Sequence, residues 1–202
     1  LMPNYREFDD TRHFFSLQKL ARELGTTAAQ LISPVSIKVR AQRYNIGCLL
    51  CEDGWSDDYE IAPLKLLNRN KDLDLFVNIS ASPYTLGKND KRNRVFGQQA
   101  KDAGVPLLYV NNIGLQNNGK TVYTFDGSST VYNANGDIVA GCAEYQEELC
   151  CITLEELNAK AALPDLQEAE IGHIYRALTY GIGKFLQDIH MKRVVIGISG
   201  GI

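Results

Sequence analysis

The segment that decides the fold is Ile46–Trp55, which reads IGCLLCEDGW. Its first half is apolar, as in a buried strand, and its second half has the acidic residues and the glycine of a turn. Cys51 is therefore predicted at the end of a strand. A thiol in that position can attack a carbonyl carbon while the backbone N–H of Glu52 stabilises the oxyanion that forms. The plainer alternative is a small core side chain, which is the more common place for a free cysteine.

Strand and helix patterns alternate around this segment, and the alternation predicts an α/β architecture in which helices cover the strands. After a helix at 11–24, the patterns predict strands at 36–42, 45–51, 73–79 and 106–111, and helices at 60–69 and 90–103.

The second half of the chain changes character. Residues 121–140 are rich in β-forming side chains, and Asn135-Gly136 signals a tight hairpin, so a meander of antiparallel strands is predicted there. Between Ile171 and Ile189 apolar residues recur every three or four positions, which predicts a helix whose apolar stripe packs against another element. A buried-strand pattern follows at 193–198.

Composition excludes several classes of protein. The chain has 202 residues, 45% of them hydrophobic, as in an ordinary globular protein. Its 21 basic and 24 acidic residues leave a net charge of -3, which gives no electrostatic footprint for nucleic acid. No apolar run approaches the roughly 20 residues of a bilayer span, so no membrane partner is predicted. Five cysteines without dense spacing agree with a reducing compartment, and the protein is expected to be cytoplasmic.

Cys48 and Cys51 form a C-x-x-C pattern, which occurs in redox pairs and in zinc sites. A zinc site needs a second pair of ligands at a workable spacing, whereas Cys150 and Cys151 are adjacent and the histidines are scattered. Residues an odd number apart on a strand point to opposite faces. No metal site is therefore predicted, and Cys48 is expected in the core.

Several motifs, taken together, resemble the glutaminase domain of the glutamine-dependent NAD synthetases, which belong to the carbon-nitrogen hydrolase (nitrilase) superfamily. Their order and spacing match over nearly the whole chain, and they are LMPNYREFD at 1–9, CEDGW at 51–55, NISASP at 78–83 with Gly87-Lys88, and FDGSS at 125–129. The resemblance implies a four-layer α-β-β-α sandwich of the nitrilase type, truncated at its N-terminus, over residues 1–160. It also implies that residues 161–202 form a linker helix and the first strand of an ATP-pyrophosphatase domain, truncated at its C-terminus.

The family uses a Glu, Lys, Cys triad. By the resemblance, Cys51 is the nucleophile that attacks the side-chain amide of glutamine, and the backbone N–H of Glu52 is an oxyanion donor. The family's lysine corresponds to a position two residues before Leu1, and its glutamate lies earlier still. A fragment that begins at Leu1 is therefore expected to be inactive, and to be prone to aggregation on its own.

The same resemblance assigns the glutamine pocket. Tyr5 and Phe8 match positions beside it, and Ser82 and Lys88 match positions that hold the α-amino and α-carboxylate groups. Without the resemblance, Tyr5 and Phe8 read as loop packing, and Lys88 as one of several solvated charges that include Arg92. Asp126, in the FDGSS motif, reads as ordinary turn chemistry and is assigned no catalytic role.

Three alternatives remain for Ser199, Gly200 and Gly201, which end a G-x-S-x-G pattern. On their own these residues fit a phosphate-binding loop, the nucleophile elbow of a hydrolase or a structural glycine turn. The resemblance favours the first, a loop that binds the pyrophosphate of ATP.

The function implied for the complete protein is a ligase that makes NAD with glutamine as the nitrogen donor. Ammonia from glutamine would be channelled to deamido-NAD activated by ATP, with magnesium as the companion of ATP and no cofactor in the glutaminase part. The complete protein is also expected to be a homo-oligomer. Two alternatives remain, a stand-alone amidase of the nitrilase type and a non-catalytic scaffold with the same fold.

Overall fold

The computed structural model describes residues 13–56, 59–158 and 170–201. The strands of this part of the chain are β1 (Val35–Val39), β2 (Gln42–Leu50), β3 (Leu75–Ser80), β4 (Leu107–Asn111), β5 (Ile113–Asn117), β6 (Val122–Asp126), β7 (Thr130–Tyr132) and β8 (Ile138–Gly141). The helices are α1 (Leu17–Glu23), α2 (Ala28–Leu31), α3 (Pro63–Leu67), α4 (Lys88–Ala103), α5 (Leu154–Leu157) and α6 (Glu170–Asp188). A 3-10 turn, Cys51–Gly54, follows β2 directly.

Six strands form one mixed sheet in the order β1-β2-β3-β4-β7-β8. Its centre is parallel: β3 pairs with β2 on one side and with β4 on the other, and the two crossovers carry α3 and α4. The outer pairs are antiparallel. The carboxyl ends of three adjacent strands therefore meet at one edge of the sheet, as in other α/β proteins that place a site there.

One face of this sheet carries the core. Gly47 pairs with Phe76, and Phe76 pairs with Leu107, so these residues lie in one row across the three parallel strands. Phe96 and Ala100 of α4 pack onto the row and are fully buried. A Cβ on Gly47 would lie 2.6 Å from the Phe76 ring, so glycine at this position leaves the space that the ring occupies. The predicted α/β class is thus confirmed.

The other face of the sheet is open in the described residues. Leu50, Ile79 and Val110 alternate with the core residues along their strands and are 52%, 58% and 44% exposed. Cys48 lies on this face, beside Val77, and is exposed. The prediction that Cys48 is a core residue is wrong, because strand alternation puts it opposite the face that the helices cover.

The strands predicted at 121–140 form, but they do not make one meander. The hairpin at Asn135-Gly136 joins β7 and β8 as expected, whereas β6 pairs with β5 in a separate two-stranded sheet. The division occurs at Gly127 and Ser128, whose φ values of 72° and 50° turn the chain out of the extended conformation. The β propensity of the residues predicted the strands, but which strand each one pairs with depends on this turn.

The C-terminal segment agrees only in part with the sequence. The predicted helix forms as α6 and contacts the two-stranded sheet, with Ala177 buried and Gly181 against Thr124. Its predicted apolar stripe, by contrast, is exposed, since Ile171 and Ile182 are 70% and 60% accessible.

The strand predicted at 193–198 does not form, and that segment is irregular and exposed. A strand needs neighbouring backbone groups to pair with, and none of the strands in the described ranges pairs with it. The predicted domain boundary at 160/161 lies outside the described residues. No helix in the described ranges is both long enough and apolar enough to cross a membrane.

Replacing either of two mid-helix glycines with alanine should change the free energy of unfolding, and the two changes should have opposite signs. A Cβ on Gly97 would lie 2.8 Å from the carbonyl oxygen of Gly136, so α4 and the β7–β8 hairpin meet backbone to backbone. We expect Gly97→Ala to lower the free energy of unfolding by about 1–3 kcal/mol, because neither backbone can yield easily. Gly183→Ala in α6 meets no described atom within 4 Å and should raise it by up to about 1 kcal/mol through helix propensity. Urea unfolding measures both, and the same sign for the two would contradict the close contact.

Candidate active site

Cys51 occupies a sharp bend between β2 and the 3-10 turn. Its φ of 41° lies in the left-handed region, which non-glycine residues seldom adopt. Such strain collects at functional positions, and a nucleophile between a strand and a helical turn is a familiar case. The sequence predicted Cys51 at the end of a strand but gave no sign of the strained backbone.

Hydrogen bonds hold this bend from several sides. The Leu50 N–H donates to Asp53 Oδ2 over 3.0 Å, so the carboxylate closes the turn around Cys51. Asn78 Nδ2 donates to the Cys51 carbonyl at 3.4 Å, and Gln99 Nε2 donates to the Gly54 carbonyl at 2.7 Å. These positioning residues come from the turn itself, β3 and α4.

Gly54 lets the bend sit tightly on the core. A Cβ at this position would lie 2.5 Å from Asn78 Nδ2 and also 2.5 Å from the Phe96 ring. Trp55, which follows, packs edge-on against Phe96 with ring centroids 5.4 Å apart. Trp55 therefore belongs to the packing around the core, while remaining half-buried.

The thiol of Cys51 lies among groups from the end of β3. Burial raises the pKa of Cys51 above its ordinary value, and this effect outweighs the hydrogen bonds from the Ala81 backbone and the Ser80 side chain, which lower the pKa. The charge of Glu52 raises the pKa and that of Lys88 lowers it. The Cys51 thiol thus has a backbone donor and a hydroxyl as hydrogen-bond partners and interacts with the charge of a lysine.

Ser82 is set into the same edge of the sheet. It is only 3% exposed, and Asn111 at the end of β4 holds its backbone on both sides. The Ser82 N–H donates to Asn111 Oδ1 at 2.9 Å, and Asn111 Nδ2 donates back to the Ser82 carbonyl at 3.1 Å. The positions of Cys51, Ser82 and Asn111 follow from the parallel alignment of the three strands that precede or carry them.

Lys88 begins α4 and is half-buried rather than solvated. Its Nζ donates to the Pro83 carbonyl at 3.1 Å. Burial, and then the charge of Arg92, lower the pKa of Lys88, while the charges of Cys51 and Asp126 raise it. The charge of the side chain therefore interacts with the thiol, which the plainer interpretation of Lys88 as a surface charge did not anticipate.

Arg92 and Asp126 form a buried ion pair beneath this region. Arg92 is fully buried, Asp126 is 1% exposed, and Arg92 Nη2 lies 3.6 Å from Asp126 Oδ1. The guanidinium also lies 4.7 Å from the centroid of the Tyr109 ring. The interpretation of Arg92 as a solvated helix charge is wrong. Asp126 is more than a turn residue, because its carboxylate balances a charge that the core encloses.

The structure gives less information about the remaining predicted site residues. The Glu52 carboxylate accepts a hydrogen bond from the Tyr59 hydroxyl at 2.8 Å, so the position of its side chain is fixed by that contact. Tyr5 and Phe8 lie outside the described residues. Ser199, Gly200 and Gly201 are exposed, and the strand expected before them is not formed, so their assignment to ATP stays a prediction.

The arrangement has the parts of a nucleophilic site for acyl transfer. A strained cysteine is held at a strand end, backbone and hydroxyl donors face its sulfur, and a lysine is close enough to influence the thiol pKa. Sequence reasoning missed Asp53, Asn78 and Gln99, although an acidic residue three positions after Leu50 is a recognisable turn-closing pattern. No local sequence pattern could have predicted the ion pair between Arg92 and Asp126, because the two residues are far apart in sequence.

Comparison with known proteins agrees with this geometry. The carbon-nitrogen hydrolase family matches residues 7–161. The glutamine-dependent NAD(+) synthetase of Synechocystis sp. is 32% identical across 100% of this chain, and that of Rhodobacter capsulatus is 33% identical across 84% of it. The chain covers 34% and 30% of these two proteins, so it spans about a third of their length.

Solved structures show the same fold. The glutamine-dependent NAD+ synthetase from Acinetobacter baumannii, in complex with ADP, superimposes with a TM-score of 0.67 at 25% identity, over 92% of this chain and 31% of that one. A carbon-nitrogen hydrolase from Helicobacter pylori gives a TM-score of 0.52 at 19% identity, over 81% of this chain and 53% of that one, which bears on the fold alone. The predicted nitrilase-type α/β fold is confirmed. Since the family match covers most of its length, the chain belongs to the carbon-nitrogen hydrolase family.

Proposed function

We propose that this chain is the glutamine-hydrolysing part of a glutamine-dependent NAD synthetase. The observation that carries the proposal is the strained Cys51, whose thiol has hydrogen bonds with the Ala81 backbone and the Ser80 side chain and interacts with the charge of Lys88. The relatives from Synechocystis sp. and Rhodobacter capsulatus, which bear that name, support the choice of glutamine among possible amide substrates.

In the proposed reaction the Cys51 sulfur attacks the side-chain amide carbon of glutamine. The carbonyl oxygen becomes an oxyanion, which the Glu52 backbone N–H stabilises. Ammonia leaves with a proton returned from the general base, and the thioester that remains is hydrolysed to glutamate. Because burial raises the pKa of Cys51, the thiol needs a base to ionise near neutral pH, and the triad glutamate of the family would supply it.

Recognition of glutamine would use charges fixed at the start of α4. Lys88 would pair with the α-carboxylate through its ammonium group. Ser82 would accept from the α-amino group, and its position is fixed because Asn111 holds its backbone. Tyr5 and Phe8 would border the pocket, as the resemblance implies.

The second half of the proposed activity concerns the longer protein. Ammonia would pass to deamido-NAD that ATP, with magnesium, has activated, giving NAD. Ser199, Gly200 and Gly201 would contribute hydroxyl and backbone donors to the pyrophosphate of ATP. The complete enzyme would act in the cytoplasm as a homo-oligomer.

Replacing the nucleophile should separate the two nitrogen donors. In a full-length synthetase that carries this chain, Cys51→Ala should abolish glutamine-dependent NAD formation and leave the ammonia-dependent reaction intact. The matched control is Cys48→Ala, which removes the exposed cysteine on the open face of the sheet and should preserve both. Steady-state assays with each donor measure this. Equal loss with glutamine and ammonia would contradict the division of labour and favour a stand-alone amidase or a scaffold.

Lys88 should act on substrate binding. We expect Lys88→Gln to raise the KM for glutamine by about 10- to 100-fold, the value of one charged hydrogen bond, without changing the ammonia-dependent rate. Lys101→Gln, an exposed lysine in the last turn of the same helix, is the control and should leave KM unchanged. An unchanged KM in Lys88→Gln would rule out the carboxylate contact.

The thiol of Cys51 should ionise at a higher pH than an ordinary cysteine. A raised pKa means that the thiolate is scarce at neutral pH and increases as pH rises, so the rate of alkylation of Cys51 by iodoacetamide should still be climbing above pH about 9, where an ordinary thiol begins to level off. The measurement uses a full-length synthetase that carries this chain with Cys48→Ala, because Cys48 and Cys51 share the tryptic peptide 44–65. Peptide-resolved mass spectrometry then separates Cys51 from the other cysteines. A plateau below pH about 8 would show that the cation outweighs burial.

A further inference from the structure

Two cysteines outside the candidate active site lie in direct contact. Cys142 follows the last residue of β8, and Cys150 lies eight residues further along. Their sulfur atoms are 2.7 Å apart, Cys142 is half-buried and Cys150 is exposed. The carboxylate of Glu148 is the third member of the group, with all three ligand atoms within 4.8 Å of one another.

The geometry fits a covalent bond between the sulfurs better than a metal ion. Two thiolates on a tetrahedral zinc ion, with Zn–S of about 2.3 Å, would be about 3.8 Å apart, further than these sulfurs are. Glu148 is already engaged, since its Oε2 accepts from the Ala143 N–H at 2.9 Å. A disulfide has an S–S bond of about 2.05 Å, and the observed separation of 2.7 Å is closer to that length than to the spacing of two zinc-bound thiolates.

The loop between these cysteines carries contacts that connect two helices. Glu144 accepts from Arg176 Nη2 at 2.8 Å and from Asn89 Nδ2 at 3.2 Å, so it connects α6 to the first turn of α4. The Tyr145 N–H donates to the Asp126 carbonyl at 2.9 Å, next to the buried ion pair. A bond between Cys142 and Cys150 would join the two ends of this loop covalently.

We propose that Cys142 and Cys150 form a reversible disulfide that holds the 142–150 loop across α4 and α6. With a hydroperoxide as oxidant, the exposed Cys150 sulfur attacks the peroxide as its thiolate, which is scarce at neutral pH because the hydrogen bond with Cys142 raises the pKa of Cys150. The O–O bond breaks, water or an alcohol leaves, and a sulfenic acid forms. The Cys142 sulfur then attacks the Cys150 sulfur, the S–O bond breaks, and a second water leaves as the S–S bond forms. The thiols lose two electrons and the hydroperoxide gains them. The proposal does not depend on glutamine chemistry.

Mapping the bond tests the proposal directly. The protein is treated with hydrogen peroxide, its remaining thiols are blocked with N-ethylmaleimide, and it is digested with trypsin and a glutamate-specific protease. Cleavage after Glu144, Glu147 and Glu148 opens the loop, so residues 121–144 and 149–155 remain joined only through a disulfide. We expect the joined pair, two fewer blocked thiols, and reversal by dithiothreitol.

Variants identify the partner and supply the controls. Cys151→Ser should leave the joined pair intact, whereas Cys150→Ser should abolish it although Cys151 remains beside that position. Cys142→Ser should leave Cys150 as a sulfenic acid that dimedone traps. In the wild type, oxidation should raise Tm by about 5 °C through closure of the loop, and Cys150→Ser should show no such shift.

Four results would overturn the proposal, and the first three concern the disulfide itself. They are a joined pair that persists in Cys150→Ser, a bond between Cys150 and Cys151, and no joined pair at all after peroxide. A fourth is binding of one equivalent of zinc that protects both Cys142 and Cys150 from N-ethylmaleimide and blocks oxidation, which would make the group a metal site instead.

Discussion

The site depends on keeping Cys51 in a backbone conformation that it disfavours. A non-glycine residue at a φ of 41° costs of the order of 1–3 kcal/mol, which the surroundings must offset. They do so with hydrogen bonds from Leu50 to Asp53, from Asn78 to Cys51 and from Gln99 to Gly54. A sulfur held in this way leaves the line of β2 and faces the donors at the end of β3. The strain therefore determines which way the nucleophile points.

A second constraint is the charge enclosed beneath the site. Removing a guanidinium from water costs several kcal/mol unless an opposite charge and hydrogen bonds replace the solvent. Asp126 provides the charge, the Tyr109 ring covers the guanidinium, and Asn89 Oδ1 accepts from Arg92 Nη1. Asn89 also donates to Glu144, so the same set of contacts reaches the loop that binds α6. The electrostatics of the site and the position of that loop are thus set together.

The sequence predicted local features well and tertiary contacts poorly. The apolar run before Cys51 and the alternation of strands and helices were enough for the α/β class, and Asn135-Gly136 was enough for its hairpin. The motifs that resemble a known family brought Cys51, Ser82 and Lys88 to attention, and the charge of Lys88 interacts with the thiol. What failed involves partners distant in sequence. Examples are the burial of Arg92, the pairing of β6 with β5 and the exposure of Cys48.

The regular spacing of contacts along α4 restricts how this part of the chain can change in length. The charge of Lys88 acts on the thiol, Arg92 pairs with Asp126, Phe96 enters the core and Gly97 touches the hairpin, all on a single helix. One inserted residue turns everything after it by about 100°. Such an insertion between Lys88 and Gly97 would misdirect the ion pair, the ring and the glycine at the same time. Homologous chains should therefore tolerate substitutions in this stretch far more readily than insertions or deletions, and indels should accumulate in the exposed turns instead.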